Sequence, residues 1–196
     1  MMDVMDRYGA RGTVALNANL CAMHPEIIEE CMKRKWEFMG HNETNTKRLN
    51  EVPEGEDAAI VRRTVATIEK ATGVKPQGWL GSGLQETWNT LEHLVDNGVQ
   101  YVADWVNDDQ PYKMTLEDGR TIMSVPYSTE INDKPAYEHH SRTAREFEEM
   151  MRDQFDVLWR EGADRARRGP GLGRPPRPLP ALRRYRAADH RDGGGV

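Results

Sequence analysis

Short apolar segments alternate with amphipathic segments along most of the chain, and this alternation limits the possible folds more than any other feature. The amphipathic segments between them have apolar residues at helical spacing. Strand-helix alternation predicts a parallel sheet covered by helices, either open or rolled into a barrel. Four or five strands are too few to close an ordinary barrel. The segments that we interpret as strands are GTVALNAN at 12–19, WEFMG at 36–40, QGWLG at 77–81 and VQYVADW at 99–105.

The helices and the turns between strands have clear sequence signals. Residues 54–72 have Ile60, Val61, Val65 and Ile68 at helical spacing and precede Gly73, so they predict an amphipathic helix that ends there. A second helix is predicted over 86–97. The segment TLEDGRTIMSV contains a DG turn between short extended pieces, which predicts either a hairpin or a strand with its lead-in. Residues 141–162 predict a long helix with Phe147, Met150, Met151, Phe155 and Leu158 on its inner face.

Charge and composition divide the chain into two parts. The total charge is −5, yet the last 34 residues contain nine arginines and three aspartates, so residues 1–162 carry −11. An acidic body argues against nucleic acid or an anionic membrane as partner. Two cysteines do not suggest a disulfide framework, and no apolar run approaches the length of a membrane span. Without an export signal either, we expect a cytoplasmic protein.

Residues 163–196 differ in character from the residues before them. Arginine, glycine, proline and alanine make up 25 of these 34 residues, and such a composition predicts a disordered segment. We therefore expect a folded domain at 1–162 and a disordered tail at 163–196. The tail could be a basic segment that binds an acidic partner, or it could be translated out of frame. The abrupt change at a helix end favours the second alternative.

Polar side chains follow the predicted strands where each one ends. Because the carboxyl ends of parallel strands meet at one edge of a sheet or barrel, these side chains predict one shared pocket. Each also has a structural interpretation, since a lone histidine at a strand end is more often a hydrogen-bonded structural residue than a metal ligand. The candidates are His41, Asn45, Trp79, Asp104, Asp108, Asp109, Glu130 and Asn132.

The order of these segments resembles the polysaccharide deacetylase superfamily, also called the NodB-homology or carbohydrate esterase family 4 group. The matching segments are GTVALNAN, WEFMGHNETN, KPQGWLGSGLQET, YVADWVNDDQPY and VPYSTEIND. The similarity is greatest to the allantoinase-like branch. The resemblance implies a partial, distorted (β/α) barrel that lacks its first and last strands. It also implies a hydrolase of carbon–nitrogen bonds other than peptide bonds, with an N-acetyl group on a sugar or a small ureide as substrate.

The resemblance also implies roles for particular residues. His41 matches the first histidine of the family's H-x-x-x-H metal element, and Asn45 occupies the position of the second. Asp104 matches the Asp-Trp element that orients an arginine, but this chain has Leu80, Gly81 and Ser82 where that arginine would lie. We therefore predict His41 and Asp104 as catalytic residues. Zinc bound by His41 and a metal-independent mechanism both remain open. The predicted substrate-binding residues are Asn45, Trp79, Asp108, Asp109, Glu130 and Asn132.

Two expectations concern the chain as a whole. The family's acidic first-strand motif and its late Leu-His motif have no counterpart here, so we expect a chain that is truncated at both ends and is inactive or impaired. The alternative is a non-catalytic binding module whose basic tail is the working part. A small molecule or carbohydrate is the expected partner, and the related branch suggests a homo-oligomer.

Overall fold

The computed structural model describes the backbone of residues 1–168 and the side chains of residues 1–162. Of the predicted tail at 163–196, the backbone of residues 163–168 is helical, and residues 169–196 lie outside the described residues. The described part of the chain divides into two compact units, one comprising 1–105 and 112–125, and the other comprising 106–111 and the described residues from 126 onward. The helices are α1 (Met2–Arg7), α2 (Leu20–Met23), α3 (Pro25–Lys33), α4 (Glu56–Thr72), α5 (Thr90–Asp96) and α6 (Ala144–Arg168). The strands are β1 (Thr13–Leu16), β2 (Glu37–Gly40), β3 (Gly78–Trp79), β4 (Tyr101–Val102), β5 (Tyr112–Thr115) and β6 (Thr121–Ser124).

The first unit is built on one six-stranded sheet with the order β1-β2-β3-β4-β6-β5. The pairs β1–β2, β2–β3, β3–β4 and β4–β6 are parallel, and only β5 runs antiparallel, to β6. The sheet is open, with β1 and β5 at its edges. The predicted α/β architecture with a parallel sheet is therefore confirmed, and the short strands leave the sheet unclosed.

Helix α4 packs its predicted apolar face into the core. Ile60, Val61, Val65 and Ile68 are almost fully buried, and Gly73 ends the helix with φ of 74°, a conformation that glycine adopts without strain. The main core cluster joins this face to Leu94 of α5 and to residues of β3, β4, β5 and β6. Burying one such aliphatic side chain contributes about 1.5–3 kcal/mol, so this face fixes α4 on the sheet.

Two glycines let aromatic rings lie directly on the strands. A Cβ on Gly40 would lie 2.5 Å from Cε3 of Trp79, and a Cβ on Gly78 would lie 2.1 Å from Cζ of Tyr101. Only a residue without a side chain fits at either position. The two rings therefore stack on neighbouring strands and hold β2, β3 and β4 in register.

Two predictions near the end of the first unit have different outcomes. The DG turn is confirmed, because β5 and β6 form an antiparallel hairpin and Gly119 takes φ of 86°. The predicted start of the helix over 86–97 was wrong by four residues, since α5 begins at Thr90. The backbone N–H of Thr87 donates to Oγ1 of Thr90 instead of entering a helix, at 2.8 Å.

The second unit contains α6 and a π-helical turn at Pro135–His139. Helix α6 is confirmed, although it continues to Arg168 rather than ending near Gly162. Its predicted inner face was wrong in part. Phe147 and Met150 are half-buried, whereas Met151, Phe155 and Leu158 are exposed, Phe155 by 62%. Helical spacing identified one apolar face, but most of that face is not covered.

Candidate functional site

His41 follows β2 directly, and hydrogen bonds join its backbone to the exits of two neighbouring strands. Its N–H donates to the carbonyl of Leu16, the last residue of β1, at 3.1 Å. Its own carbonyl accepts from the side-chain amide of Asn17 and from the hydroxyl of Ser82, the latter at 3.1 Å. The chain after β1, β2 and β3 therefore converges on one residue.

The imidazole of His41 has a defined orientation. Its Nδ1 is hydrogen-bonded to the carbonyl of Leu80, and because a carbonyl can only accept, Nδ1 must hold the proton. Burial lowers the pKa of His41, against the opposing effects of the bonds with Leu80 and with the Asn45 side chain. The ring is therefore neutral near pH 7, with the lone pair on Nε2.

The peptide group between Leu80 and Gly81 is bound at both ends. Its carbonyl oxygen accepts from His41, and its N–H donates to Oδ1 of Asp104 at 2.5 Å. The N–H of Leu80 also donates to the carbonyl of Gly40, at 2.9 Å, so the ladder from β2 continues into this segment. A single peptide group thus lies between the two residues predicted as catalytic.

Asp104 is buried, with 4% of its surface exposed, and its other neighbour is a second carboxyl group. Burial raises the pKa of Asp104 to about 6, with hydrogen bonds from Glu86 and Gly81 acting in the opposite direction. Burial raises the pKa of Glu86 well above its usual range, and the charges of Asp104 and Glu92 add to this effect. A hydrogen bond between two carboxyl groups requires a proton on one of them, and Glu86 is the group that holds it.

Glu86 was absent from the predicted site residues. The available signal was the missing arginine, because an aspartate that follows a buried strand without a cation nearby needs another partner. The backbone that brings Glu86 to Asp104 includes Gly83 and Leu84, with φ of 68° and 58°. Such left-handed positions cannot be recognised for a leucine from its identity alone.

Asn45 is exposed and lies beside the imidazole. Its Oδ1 is 3.2 Å from Oγ of Ser82, and the same hydroxyl lies 3.1 Å from the carbonyl of Thr44. Ser82 has one hydrogen to donate and is fully buried, so it ties the His41–Asn45 turn to the segment after β3. Asn45 therefore presents an amide to solvent next to the imidazole.

Trp79 lies within the core. Its side chain is fully buried and its ring packs on Gly40. The contact that the structure provides for this residue is with β2, and the predicted contact with a substrate remains a prediction.

Four other predicted residues belong to the second unit. Asp108 and Asp109 are exposed, and Oδ1 of Asp108 accepts from the N–H of Asp109 at 2.8 Å. Glu130 accepts from the hydroxyl of Ser128 at 3.1 Å, and the amide of Asn132 donates to the hydroxyl of Tyr127. Their membership of a pocket with His41 remains a prediction.

The donors near His41 do not make a zinc site by themselves. Zinc prefers histidine, cysteine and carboxylate ligands, usually three or four together. Among residues 1–162, no group of three such side chains is placed to hold a metal ion. Asn45 contributes an amide where a second imidazole would be needed, and an amide is not among the ligands that zinc prefers. The zinc interpretation of His41 is therefore not supported by its described neighbours.

The opposite end of the sheet has a cavity of about 490 Å³. Its lining includes Lys35, Trp36 and Lys75, which lie near the amino ends of β2 and β3. None of the predicted site residues lines it. Ligand binding at this cavity would therefore be distinct from binding at His41.

An open parallel α/β sheet with polar side chains at its strand exits is the architecture of a small-molecule site. The sequence model of the polysaccharide deacetylase family matches residues 1–102, and the chain belongs to that family. A candidate polysaccharide deacetylase of Schizosaccharomyces pombe is 30% identical over 130 aligned positions, covering 59% of this chain and 41% of the yeast protein.

Solved structures agree with this fold. The crystal structure of an allantoinase named Puue has a TM-score of 0.74 at 22% identity, covering 83% of this chain and 54% of that one. A candidate polysaccharide deacetylase from Mycobacterium smegmatis has a TM-score of 0.70 at 22% identity, covering 80% of this chain and 57% of that one. The open sheet thus corresponds to part of a NodB-type (β/α) barrel. The chain spans about half the length of these proteins or less.

The described helices were also compared with the requirements for crossing a membrane. None of those within residues 1–168 combines the necessary length with sufficient apolar character.

Proposed function

We propose that this chain contributes the His41 side of a site that hydrolyses carbon–nitrogen bonds other than peptide bonds. The observation that carries the proposal is the fixed imidazole of His41, which is held at the strand exits of a polysaccharide deacetylase domain by the hydrogen bond from its Nδ1 to the Leu80 carbonyl. An N-acetyl group on a sugar or a small ureide is the substrate class, which the families of the relatives support.

His41 is suited to accept a proton from water. In amide hydrolysis, water attacks the carbonyl carbon, loses a proton, and the carbon–nitrogen bond breaks as the leaving nitrogen gains one. A neutral imidazole can take the first of these protons on Nε2, and such general base help contributes about 10²- to 10⁴-fold. The side-chain amide of Asn45 lies beside the ring and can bind the substrate's carbonyl or amide group.

The charge of the predicted substrate-binding residues suggests a preference among ligands. Asp108, Asp109 and Glu130 are exposed acidic residues, and we include them with Asn132 as substrate-binding residues of the proposed site. Carboxylates repel anionic ligands, so a neutral or cationic substrate rich in hydroxyl or amide groups is expected.

Two further proposals concern the setting in which the protein works. A cytoplasmic location rests on Cys21 and Cys31, both of which are free thiols. The second proposal is that the chain forms a homo-oligomer. Light scattering of the purified chain tests this, and a mass near 22.4 kDa, that of one chain, would exclude it.

The test is hydrolysis by the purified 196-residue chain of an N-acetylglucosamine oligomer and of a ureide, each with zinc, with cobalt and with chelator. We expect any turnover above the uncatalysed rate to fall at least about 100-fold in His41→Ala. The control is Glu37→Ala, which truncates a polar side chain to alanine at the amino end of β2. This variant should retain activity. Turnover that is equal in wild type and His41→Ala would refute the proposal.

A further inference from the structure

The Leu80–Gly81 peptide group connects His41 to a carboxylate that does not touch it. Its oxygen accepts from Nδ1 of His41 and its N–H donates to Asp104 at 2.5 Å. A carboxylate that accepts from one end of a peptide group polarises it, which makes the oxygen at the other end a stronger acceptor. The negative charge of Asp104 therefore acts on the imidazole through one intervening peptide.

Steric fit at Gly81 keeps this arrangement tight. A Cβ on Gly81 would lie 3.0 Å from Oδ2 of Asp104 and 3.0 Å from the carbonyl oxygen of Gln85. A side chain at this position would push the peptide away from the carboxylate. The close approach of Gly81 to Asp104 thus depends on glycine having no Cβ.

The charge of Asp104 is maintained without a cation. Among the described residues, no lysine or arginine forms an ion pair with it. Its neighbour is Glu86, whose buried carboxyl holds a proton and can donate it to Asp104. Glu86 therefore takes the place that an arginine would fill, as a neutral hydrogen-bond donor.

We propose that Asp104 is a positioning residue for His41, and that it fixes the imidazole's orientation and its Nδ1-protonated tautomer through the Leu80–Gly81 peptide group. The inference rests on the proposed function only where it gives His41 a catalytic role. The tautomer itself can be measured without any substrate.

The test is ¹⁵N NMR of the full chain with labelled histidine and glycine, at a pH where His41 is neutral. Wild type should show His41 with a protonated Nδ1 and an unprotonated Nε2, and a strongly downfield amide proton for Gly81. Asp104→Ala should convert His41 to a mixture of tautomers. Asp104→Asn keeps an acceptor for Gly81, so it should restore the single tautomer while the Gly81 amide proton and the His41 Nδ1 proton both move upfield.

The controls separate this effect of Asp104 on the His41 tautomer from general damage to the fold. Glu37→Gln makes a carboxyl-to-amide change at the other end of β2 and should leave the His41 spectrum unchanged. Glu86→Gln retains a neutral donor to Asp104 and should keep the single tautomer. If Asp104→Ala does not fold, Asp104→Asn decides, because movement of the Gly81 proton without movement of the His41 Nδ1 proton would overturn the proposal.

Activity distinguishes this inference from the proposed function. If wild type is active, Asp104→Ala should lose about 100-fold in kcat, the lower end of what general base catalysis contributes. An inactive wild type with the expected tautomer changes would refute the proposed function but would still support the positioning of His41 by Asp104. An unchanged His41 tautomer in folded Asp104→Ala would overturn the positioning role of Asp104, whatever the activity.

Discussion

His41 is the residue at which the sequence pattern and the local chemistry agree most closely. It was predicted from its position after β2, and the structure adds a fixed ring orientation that the sequence does not specify. The bond partner is a backbone carbonyl, that of Leu80, and backbone groups leave no mark in the sequence. A histidine at a strand exit can thus be predicted as a site residue, whereas its tautomer requires the fold.

Burial of His41 predicts a pH effect. Its pKa lies below the ordinary value of 6.5, so the unfolded chain takes up this proton at a higher pH than the folded protein does. The contribution of His41 to stability is therefore present above pH 6.5 and is lost as the pH falls through the folded pKa. An NMR titration of the His41 Cε1 proton should give a midpoint below 6.5, and a midpoint above that value would contradict the burial argument.

The buried proton on Glu86 predicts the opposite pH dependence. Because its pKa is raised in the folded state, the carboxyl's contribution is complete below the ordinary value of 4.5 and is lost as the pH rises toward the folded pKa. Glu86→Gln, which mimics the neutral form, should therefore gain stability relative to wild type as the pH increases.

The gain in stability should grow as the pH rises above 4.5. Urea denaturation at several pH values measures it. The same substitution at exposed Glu54 is the control. A stability difference between Glu86→Gln and wild type that does not vary with pH would exclude a buried proton at Glu86.

Asp104 and Glu86 show which part of the site could be predicted from sequence. Asp104 follows an apolar strand, so its position at the carboxyl end of that strand could be predicted. Glu86 was placed in a predicted helix, but the backbone around Gly83 and Leu84 turns its side chain toward Asp104 instead. Contacts that depend on left-handed loop positions are set by tertiary packing, and a pattern of residue types does not contain them.

At the scale of strands and helices, close packing between rings and glycines is as important as apolar periodicity. The strands here are only two to four residues long, so few backbone hydrogen bonds hold each pair. The ring of Trp79 on Gly40 and the ring of Tyr101 on Gly78 add contacts across neighbouring strands. A glycine in a strand thus marks a close approach rather than a weak point.

Gly40→Ala should destabilise the first unit. The new Cβ would lie 2.5 Å from Cε3 of Trp79, whose side chain is fully buried and cannot move aside freely. Overpacking of this kind costs about 1–3 kcal/mol. Gly162→Ala in α6 is the matched control, since nothing lies within 4 Å of its Cβ and alanine favours a helix by about 0.5–1 kcal/mol. Equal effects of the two changes would contradict the packing argument.

Exposure along α6 predicts a contrast between two leucines. Leu94 in α5 is fully buried, whereas Leu158 in α6 keeps 37% of its surface exposed. Leu94→Ala should cost about 2–5 kcal/mol, as expected for a cavity in the core. Leu158→Ala should cost about 1 kcal/mol or less, because less apolar area leaves contact. Chemical denaturation of both variants checks this, and a larger loss for Leu158→Ala would show that its face is covered.

Helix α4 and the end of α6 illustrate how far periodicity predicts an element. In α4, the apolar face, the acidic first turn and the glycine stop all agree, and its bounds were predicted within two residues. In α6, the same periodicity predicted a helix correctly but not the burial of its apolar face. Periodicity specifies which side chains share a face, whereas burial depends on what else packs there.

At the scale of the whole molecule, the chain combines a polysaccharide deacetylase domain's sheet with a second compact unit. The sheet order and parallel pairing follow from strand-helix alternation, which the sequence displays plainly. The division into two units was not predicted, since neither the change at residue 106 nor the change at residue 126 coincides with a change in composition. The central claim is that ligands bind at the carboxyl ends of the strands around His41.

Mapping of ligand binding by amide NMR tests that claim most directly. The purified chain would be titrated with an N-acetylglucosamine oligomer and, separately, with a ureide, while backbone shifts are followed for every assigned residue. We predict that at least one ligand shifts the amides of His41, Asn45 and Gly81 most strongly, and that His41→Ala weakens these shifts. Shifts confined to the cavity at Lys35, Trp36 and Lys75, or no shifts with either ligand, would contradict the account.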